Sequence, residues 1–393
     1  MPRRRVSYPW LLVITLGFTE TVSWGVLYYA FSVLVGPMQA ELGWSRGEIT
    51  GAFSVGLVTL GLAGVAAGHW LDRRGPRLLM TAGSVVGVAL LLLWSRIQDL
   101  AAFYVLWAAM GLCWSATLYS PAFATVTAWF RERRTEALTA VTLMAGLAST
   151  IFYPVTARLV SLLGWRDALV ALAAILAAAT ILPHALLLRR APGHVEHPYE
   201  PSLSLGEALR HPSFRWLAVG FFCFALGIGV NVHLVPYLVG RGYDLGNAAF
   251  VAGLVGATQL VGRIFLAPLE RRLPGSVLIA GVYSLQPLAI LVLLLAGGAL
   301  APFVFVLLFG AGRGADTLVR NTAVARLYGA RRFASIQGVL SLVIAGAWSL
   351  GPVSLGAIYD RFGGYDVGLW LVCGASVIAA IALSVGTRQP ATR

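Results

Sequence analysis

The sequence contains no lysine; all 29 basic residues are arginine. Charge of either sign is scarce, at 11% of the residues, against about 25% in a soluble globular chain. A water-soluble core has no use for a chain that is 58% hydrophobic, whereas lipid solvates it. The three cysteines, Cys113, Cys223 and Cys373, each fall in a different apolar run. None has metal or redox spacing, so no disulfide or metal centre is implied. No phosphate-binding P-loop is present, which excludes ATP-driven work by this chain alone. No Ser-His-Asp grouping can be assembled from the apolar runs, so no enzyme is expected, and no cofactor. The runs do not alternate polar with apolar, which excludes a membrane β-barrel. No loop is long enough to fold as a soluble domain.

What the chain does have is apolar runs of about 20 residues or more, enough to cross some 30 Å of hydrocarbon. In lipid the backbone must bond within each segment, so the runs are expected to be helices. Twelve spans are expected, at 8–37, 47–71, 77–97, 100–128, 136–163, 166–188, 213–240, 246–269, 276–297, 301–326, 334–359 and 366–387. The fourth and tenth are long enough to suggest irregular ends. Arg3-Arg4-Arg5 before the first run looks like a secretory leader, but a run from Val6 to Met38 is too long for one and reads as a retained span.

The net charge of +13 does not imply nucleic acid, because the arginines lie in short clusters between apolar runs. With the N-terminus inside, twenty arginines fall on the inner side and six on the outer. That bias predicts cytoplasmic N- and C-termini, and the use of arginine without lysine suggests a bacterial genome and hence a bacterial inner membrane. The longest polar stretch, residues 189–212, divides the chain into an N-terminal bundle (1–190), a linker (191–212) and a C-terminal bundle (213–393). Ser204 and Glu207 have the spacing of a helix cap. His194, His197 and His211 read as solvated loop residues rather than metal ligands. The halves repeat: Gly43-Trp44 stands 199 residues before Gly242-Tyr243, and Gly164-Trp165 stands 200 before Gly364-Tyr365. Each glycine reads as a helix end and each ring as an interfacial anchor. Parallel halves of this kind place a substrate site between them, near the membrane midplane.

Between the second and third spans stands GHWLDRRGPR, Gly68 to Arg77. It resembles the signature loop of the major facilitator superfamily, with Gly68, Asp72, Arg73, Gly75 and Arg77 matching and Pro76 in place of an arginine. The resemblance implies twelve transmembrane helices in two pseudo-symmetric six-helix bundles, and a gating role for Asp72 and Arg73. Pro268 to Arg272 is a degenerate second copy. Leu42 to Arg46, Trp129 to Arg134, His233 to Tyr237, and Gly351-Pro352 with Gly356, Asp360 and Arg361 resemble bacterial monocarboxylate-porter-like proteins, related to the oxalate/formate antiporter group. That likeness spans essentially the whole chain. It implies a secondary transporter of small organic anions working by alternating access as a monomeric unit in the lipid bilayer.

Ionisable groups inside spans are costly and are functional candidates by default. Here they are Glu20, Arg263, Arg313, Asp316 and Arg320, which sum to +1 and suit an anion. Arg263 falls where the porters carry an arginine, which the likeness implies binds the substrate carboxylate. Its planar fork fits that task, although a structural arginine bonded to backbone carbonyls would look the same. Gln259 falls where the porters carry an aspartate, and glutamine does not titrate, so coupling stays open between proton symport through Glu20 or Asp316, anion exchange and facilitated diffusion. Val33 occupies the place of the lysine expected in the first span. Glu20, with Thr19, Thr21 and Ser23 around it, reads either as a replacement proton carrier or as a neutral acid bonded to a neighbouring helix. Arg313, Asp316 and Arg320 share one helix face, as a structural ion-pair cluster or as coupling groups. Tyr119, Trp348 and Tyr28 are the leading aromatic candidates for a substrate contact, with Tyr29 and Tyr153 beside them. Efflux of amphipathic or cationic drugs is the alternative, and a non-transporting membrane receptor a third reading.

Overall fold

The computed structural model describes residues 7–130, 132–191, 212–270, 272–328 and 330–387. The polar linker, with Ser204, Glu207, His194, His197 and His211, lies outside the described residues. Every regular element among the described residues is a helix. Ten stretches are long and apolar enough to span a membrane. They are Tyr8–Leu42 (α1), Arg46–Arg74 (α2), Pro76–Trp94 (α3), Leu100–Trp129 (α4), Arg134–Leu187, Pro212–Gly240 (α7), Leu245–Glu270 (α8), Gly275–Leu295 (α9), Gly338–Phe362 and Asp366–Gly386 (α12). Arg134–Leu187 breaks at Gly164, where φ is 78°, into residues 134–163 (α5) and 165–187 (α6). Ala301–Tyr328 forms α10, and the stretch beginning at Gly338 belongs to a longer helix, Ala330–Phe362 (α11). The count is therefore twelve among the described residues. Large apolar side chains lie bare on these helices, with Leu62 at 74% and Val105 at 71% exposed. Lipid accepts such a surface and water does not.

The helix limits differ from the expected ones for local reasons. α1 passes Pro37 and ends at Leu42, where Gly43 takes a left-handed φ of 70° and donates its N–H to the Gln39 carbonyl. The irregularity expected at the ends of the fourth span lies instead within it. α4 breaks at Leu118 (ψ −165°), four residues after Trp114 and three before Pro121. The proline ring clashes with the carbonyl four residues back and supplies no N–H. α10, expected to be irregular at its ends, runs as one helix. At the last repeat position the left-handed residue is Gly363 (φ 71°), not Gly364.

The chain forms two compact units. The first takes Met1–Trp44, Val55–Glu196 and Tyr243–Gly253; the second takes Ser45–Ser54, His197–Gly242 and Leu254–Arg393. Each thus includes the start of one helix, α8 or α2, whose remainder belongs to the other. The first unit is filled by a chain of rings running from Trp44 and Phe103 through Trp107 and Trp114 to Tyr28. The second is filled by Phe214, Phe221, Phe224, Tyr283, Leu340 and their neighbours. The cysteines are free packing residues.

Candidate functional site

In the first unit the site is built on irregular helix. Tyr8 packs on Trp129 with centroids 4.8 Å apart, and Trp10 on Phe130 at 5.3 Å, so the start of α1 and the end of α4 share a level. Glu20 lies twelve residues up α1 and Leu118 eleven residues up α4, each about 17 Å from that level at 1.5 Å per residue. α5 is interrupted at Gly146 and Leu147, at a similar distance from its start at Arg134. Just above Glu20, α1 widens into a π-helical turn, Gly25–Tyr29. Such turns are frequent at functional sites. α1 can approach α5 because it carries glycine there: a Cβ at Gly25 would fall 2.1 Å from the Phe152 ring.

Glu20 is fully buried, and neither carboxylate oxygen has a hydrogen-bond partner among the described residues. The surrounding hydroxyls do not serve it. Thr19 donates to the Leu16 carbonyl at 3.3 Å and Thr21 to the Gly17 carbonyl at 2.7 Å. Ser23 Oγ and Trp24 Nε1 are buried and equally unpartnered. The Trp24 indole, one turn on, acts on the carboxyl, but its N–H stops short of a hydrogen bond. Glu20, Ser23 and Trp24 thus form one turn of polar groups at three- and four-residue spacing. Trp24 joins this turn to the rings: it lies 5.0 Å from Tyr28 and 5.0 Å from Tyr119. Tyr119 follows the α4 break and stacks on Phe123 at 4.8 Å. Tyr29 reaches Tyr153 at 5.6 Å. Trp24 was not legible as a candidate, although its place one turn after a buried acid was the available signal.

In the second unit, glycine sets the crossing of α8 with α10. A Cβ at Gly262 would fall 2.0 Å from the Ala311 carbonyl oxygen, and one at Gly314 would fall 2.0 Å from that of Gln259. A Cβ at Gly310 would meet Thr258 Oγ1 at 1.9 Å, and that hydroxyl donates to the Val306 carbonyl at 2.7 Å. This close contact brings the Gln259–Arg263 turn of α8 against the Gly310–Asp316 turn of α10. Arg263 is half-buried. Arg313 lies 5.6 Å over the Phe309 ring. Asp316 accepts a hydrogen bond at 2.8 Å from Tyr283 of α9, a partner that the spacing within α10 did not suggest. Tyr283 is buried against Phe224 with centroids 4.9 Å apart, and Arg320 acts on it electrostatically. Arg320 Nε is buried without a hydrogen bond among the described residues. Trp348 packs on the hydrophobic core of this unit.

The signature loop turns at Gly75, whose φ of 77° favours glycine. Asp72 and Arg73 are exposed. The Asp72 backbone carbonyl accepts from Arg190 at 3.1 Å.

A multi-pass helical membrane protein, with polar side chains buried midway along helices that break or cross on glycine, has the construction of a carrier. The sequence profile of the Major Facilitator Superfamily matches residues 13–352, and the chain belongs to that superfamily of transporters. It is 24% identical over 403 residues to Monocarboxylate transporter 13 of Rattus norvegicus, covering 98% of this chain and 92% of the relative. It is 23% identical over 380 residues to Agnestins efflux protein AgnL12 of Paecilomyces divaricatus, covering 95% and 85%. Among solved structures it is similar to a bacterial homologue of the human lysosomal transporter Spinster in an inward-facing, occupied conformation. The TM-score there is 0.74, with 15% identity, covering 98% of this chain and 96% of that one.

Proposed function

We propose that the chain is a secondary transporter of small organic anions, monocarboxylates first among them, acting by alternating access from a bacterial inner membrane with both termini cytoplasmic. Its domains are the N-terminal bundle 1–190 and the C-terminal bundle 213–393, and its working unit is one chain. The observation that carries this reading is Arg263. It is a half-buried guanidinium on α8, where glycine brings α8 and α10 into backbone contact. A planar donor fork in poorly hydrated surroundings is suited to hold a carboxylate by two hydrogen bonds. The name of the rat relative agrees with that chemistry. Gln259 does not titrate, so exchange or facilitated diffusion is favoured over the aspartate-borne coupling of the porters. If protons are coupled, Glu20 is the group placed to carry them in the first unit, and Asp316 in the second.

The test is uptake of a panel of radiolabelled carboxylates by purified protein in liposomes, with and without a pH gradient. Arg263→Gln is expected to reduce uptake at least about a hundredfold, the scale of a lost charged hydrogen bond to a buried anion. Undiminished uptake by that variant would sink the anion reading. The second reading, export of amphipathic or cationic compounds, is favoured by one observation: a buried carboxyl, Glu20, joined through Trp24 to a line of tyrosine rings, which suits a cation. It predicts that transport survives Arg263→Gln and fails in Glu20→Gln.

A further inference from the structure

Parts of three segments that the carrier reading leaves without a task come together in the second unit. They are Ser45-Arg46, His233 to Tyr237, and Gly351 to Arg361. α2 begins with a capping box: Ser45 Oγ accepts from the Glu48 N–H at 3.2 Å, and Glu48 Oε2 accepts from the Ser45 N–H at 2.8 Å. The first intrahelical bond runs from the Ile49 N–H to the Ser45 carbonyl at 3.1 Å. That leaves the N–H groups of Arg46 and Gly47 without a partner inside the helix. Both are taken by one carboxylate of α11: Asp360 Oδ1 accepts from Arg46 at 3.0 Å, and Oδ2 from Gly47 at 2.7 Å. The Arg46 guanidinium lies over the Tyr359 ring, 3.7 Å from the centroid, and donates to Tyr365 Oη at 2.7 Å.

The network then turns inward along a fixed direction. His233 Nε2 lies 2.9 Å from the Pro352 carbonyl, which can only accept, so Nε2 carries the proton. Nδ1 therefore accepts, and Tyr365 donates to it at 2.9 Å. His233 is buried at 2% exposure, so this chain roots the Tyr365 ring in α7 and α11. Backbone contact is close throughout. A Cβ at Gly47 would meet the Asp360 carboxylate at 2.7 Å and the Ala357 nitrogen at 3.2 Å. One at Gly356 would meet Thr50 Oγ1 at 2.4 Å and the Arg46 carbonyl at 2.9 Å.

We propose that Asp360 is a gating latch, holding the first two turns of α2 on α11 while Tyr365 and His233 position Arg46 to lock it. The remainder of α2 belongs to the other unit, so a carrier that changes state by moving its bundles has to strip these two N–H groups from Asp360. By the arginine bias the latch faces the outer side of the membrane. This inference rests on the carrier reading but not on the identity of the cargo, and its test uses no substrate.

The probe is a membrane-impermeant maleimide on a Ser54→Cys variant, in a background with Cys113, Cys223 and Cys373 replaced by alanine. Ser54 lies on the latched end of α2 and is 6% exposed. Asp360→Asn is expected to raise the labelling rate about tenfold, since a charged acceptor of two N–H groups is replaced by a neutral one. Tyr365→Phe removes the acceptor for Arg46 and the donor for His233, and is expected to raise labelling about threefold. Arg241→Gln, which breaks an exposed pair with Asp366 in the same unit, is expected to leave the rate unchanged. A rate unmoved by Asp360→Asn and Tyr365→Phe, or raised as much by Arg241→Gln, would overturn the latch. If Asp360→Asn does not yield a folded protein, Tyr365→Phe alone decides in the same two directions.

Discussion

α2 and α8 begin 199 residues apart in chain order and start alike, yet they are held differently. Each follows a left-handed glycine, Gly43 or Gly242, and each has an N-terminal cap at the equivalent position, Ser45 or Asp244. The start of α8 is capped from within: Asp244 Oδ1 accepts from the Asn247 N–H at 3.0 Å. Further along, hydroxyls of α5 reach it, with Thr150 donating to the Gly253 carbonyl at 2.8 Å and Ser149 at 3.3 Å. The start of α2 is capped in part by Asp360, 314 residues away. Duplication has left the helix start intact, and among the described residues the charged fastening stands on the α2 copy. The same division recurs at the helix crossings. Thr59 meets Gly111 as Thr258 meets Gly310, with a Cβ at either glycine 1.9 Å from the threonine hydroxyl. Past that shared contact the second copy carries Arg313, Gly314 and Asp316, where the first carries Trp114, Ser115 and Thr117. Packing is repeated, and chemistry is not.

The largest effect that would break this equivalence is at the two glycines. A methyl at Gly111 would also fall 2.2 Å from the Gly56 carbonyl oxygen, whereas at Gly310 the corresponding carbonyl, Val255, stands at 2.9 Å. Gly111→Ala and Gly310→Ala should each destabilise by about 1–3 kcal/mol, the usual range for overpacking. The second cost should be partly relieved in a Thr258→Ala background, because the nearest obstacle there is a hydroxyl and what is left, Thr258 Cβ and the Val255 carbonyl, stands at 2.9 Å. The first should persist with Thr59→Ala, because the obstacle there is backbone. Thermal unfolding in detergent reads both cycles, and equal rescue would show that the crossings are alike after all.

The sequence alone carried the helices well and the contacts poorly, for separate physical reasons. Lipid demands long apolar runs and internally bonded backbone, so the spans are visible without any partner. The break at Leu118 had a local sign in Pro121, but its consequence, Tyr119 turned toward Trp24, depends on where α1 runs. The π turn at Gly25–Tyr29 had no sign beyond a glycine. Asp316 was read against the arginines of its own helix, because helical spacing is all that a single chain displays. Its bond from Tyr283 comes from α9. Asp360 and Arg46 stand in two separate family-like segments, and nothing in their separation of 314 residues shows that one caps the helix of the other. Whether Arg263 meets an anion is a matter of cargo, and it remains the proposal that the liposome experiment decides.

A smaller effect sharpens the comparison at the C-terminal ends of α1 and α7. Glu41 pairs with Arg166 at 2.8 Å, and 200 residues on Arg241 pairs with Asp366 at 2.9 Å. The position of the bridge is repeated with its charges exchanged. Exposed pairs of this kind contribute little, but the two are not equally exposed. The Arg166 side chain is 27% exposed and also donates to the Ser95 and Ile97 carbonyls at 2.8 and 3.0 Å, while that of Arg241 is 50% exposed. Arg166→Gln should therefore lower the melting temperature more than Arg241→Gln. In 1 M salt both pairs are screened, yet the difference should remain, because it comes from the carbonyls. A difference that disappears in salt would assign it to the ion pair instead.

The smallest effect separates the two caps by acid. The N–H of Asn247 bonded to Asp244 holds that carboxyl below its ordinary value of 3.8. A carboxyl depressed in the folded state stabilises the fold above its unfolded value, near 3.9, and that contribution is lost as pH falls through the lower folded value. Asp244→Asn supplies a cap that does not titrate. The melting temperatures of the parent and of Asp244→Asn should therefore differ by a constant amount between pH 5 and 7, and the parent should lose ground to the variant only below about pH 4. The same substitution should leave the maleimide labelling of Ser54→Cys untouched, since Asp244 fastens only the helix it begins. A change in that labelling would mean that the two helix starts are coupled, and that the fastening is not confined to the α2 copy.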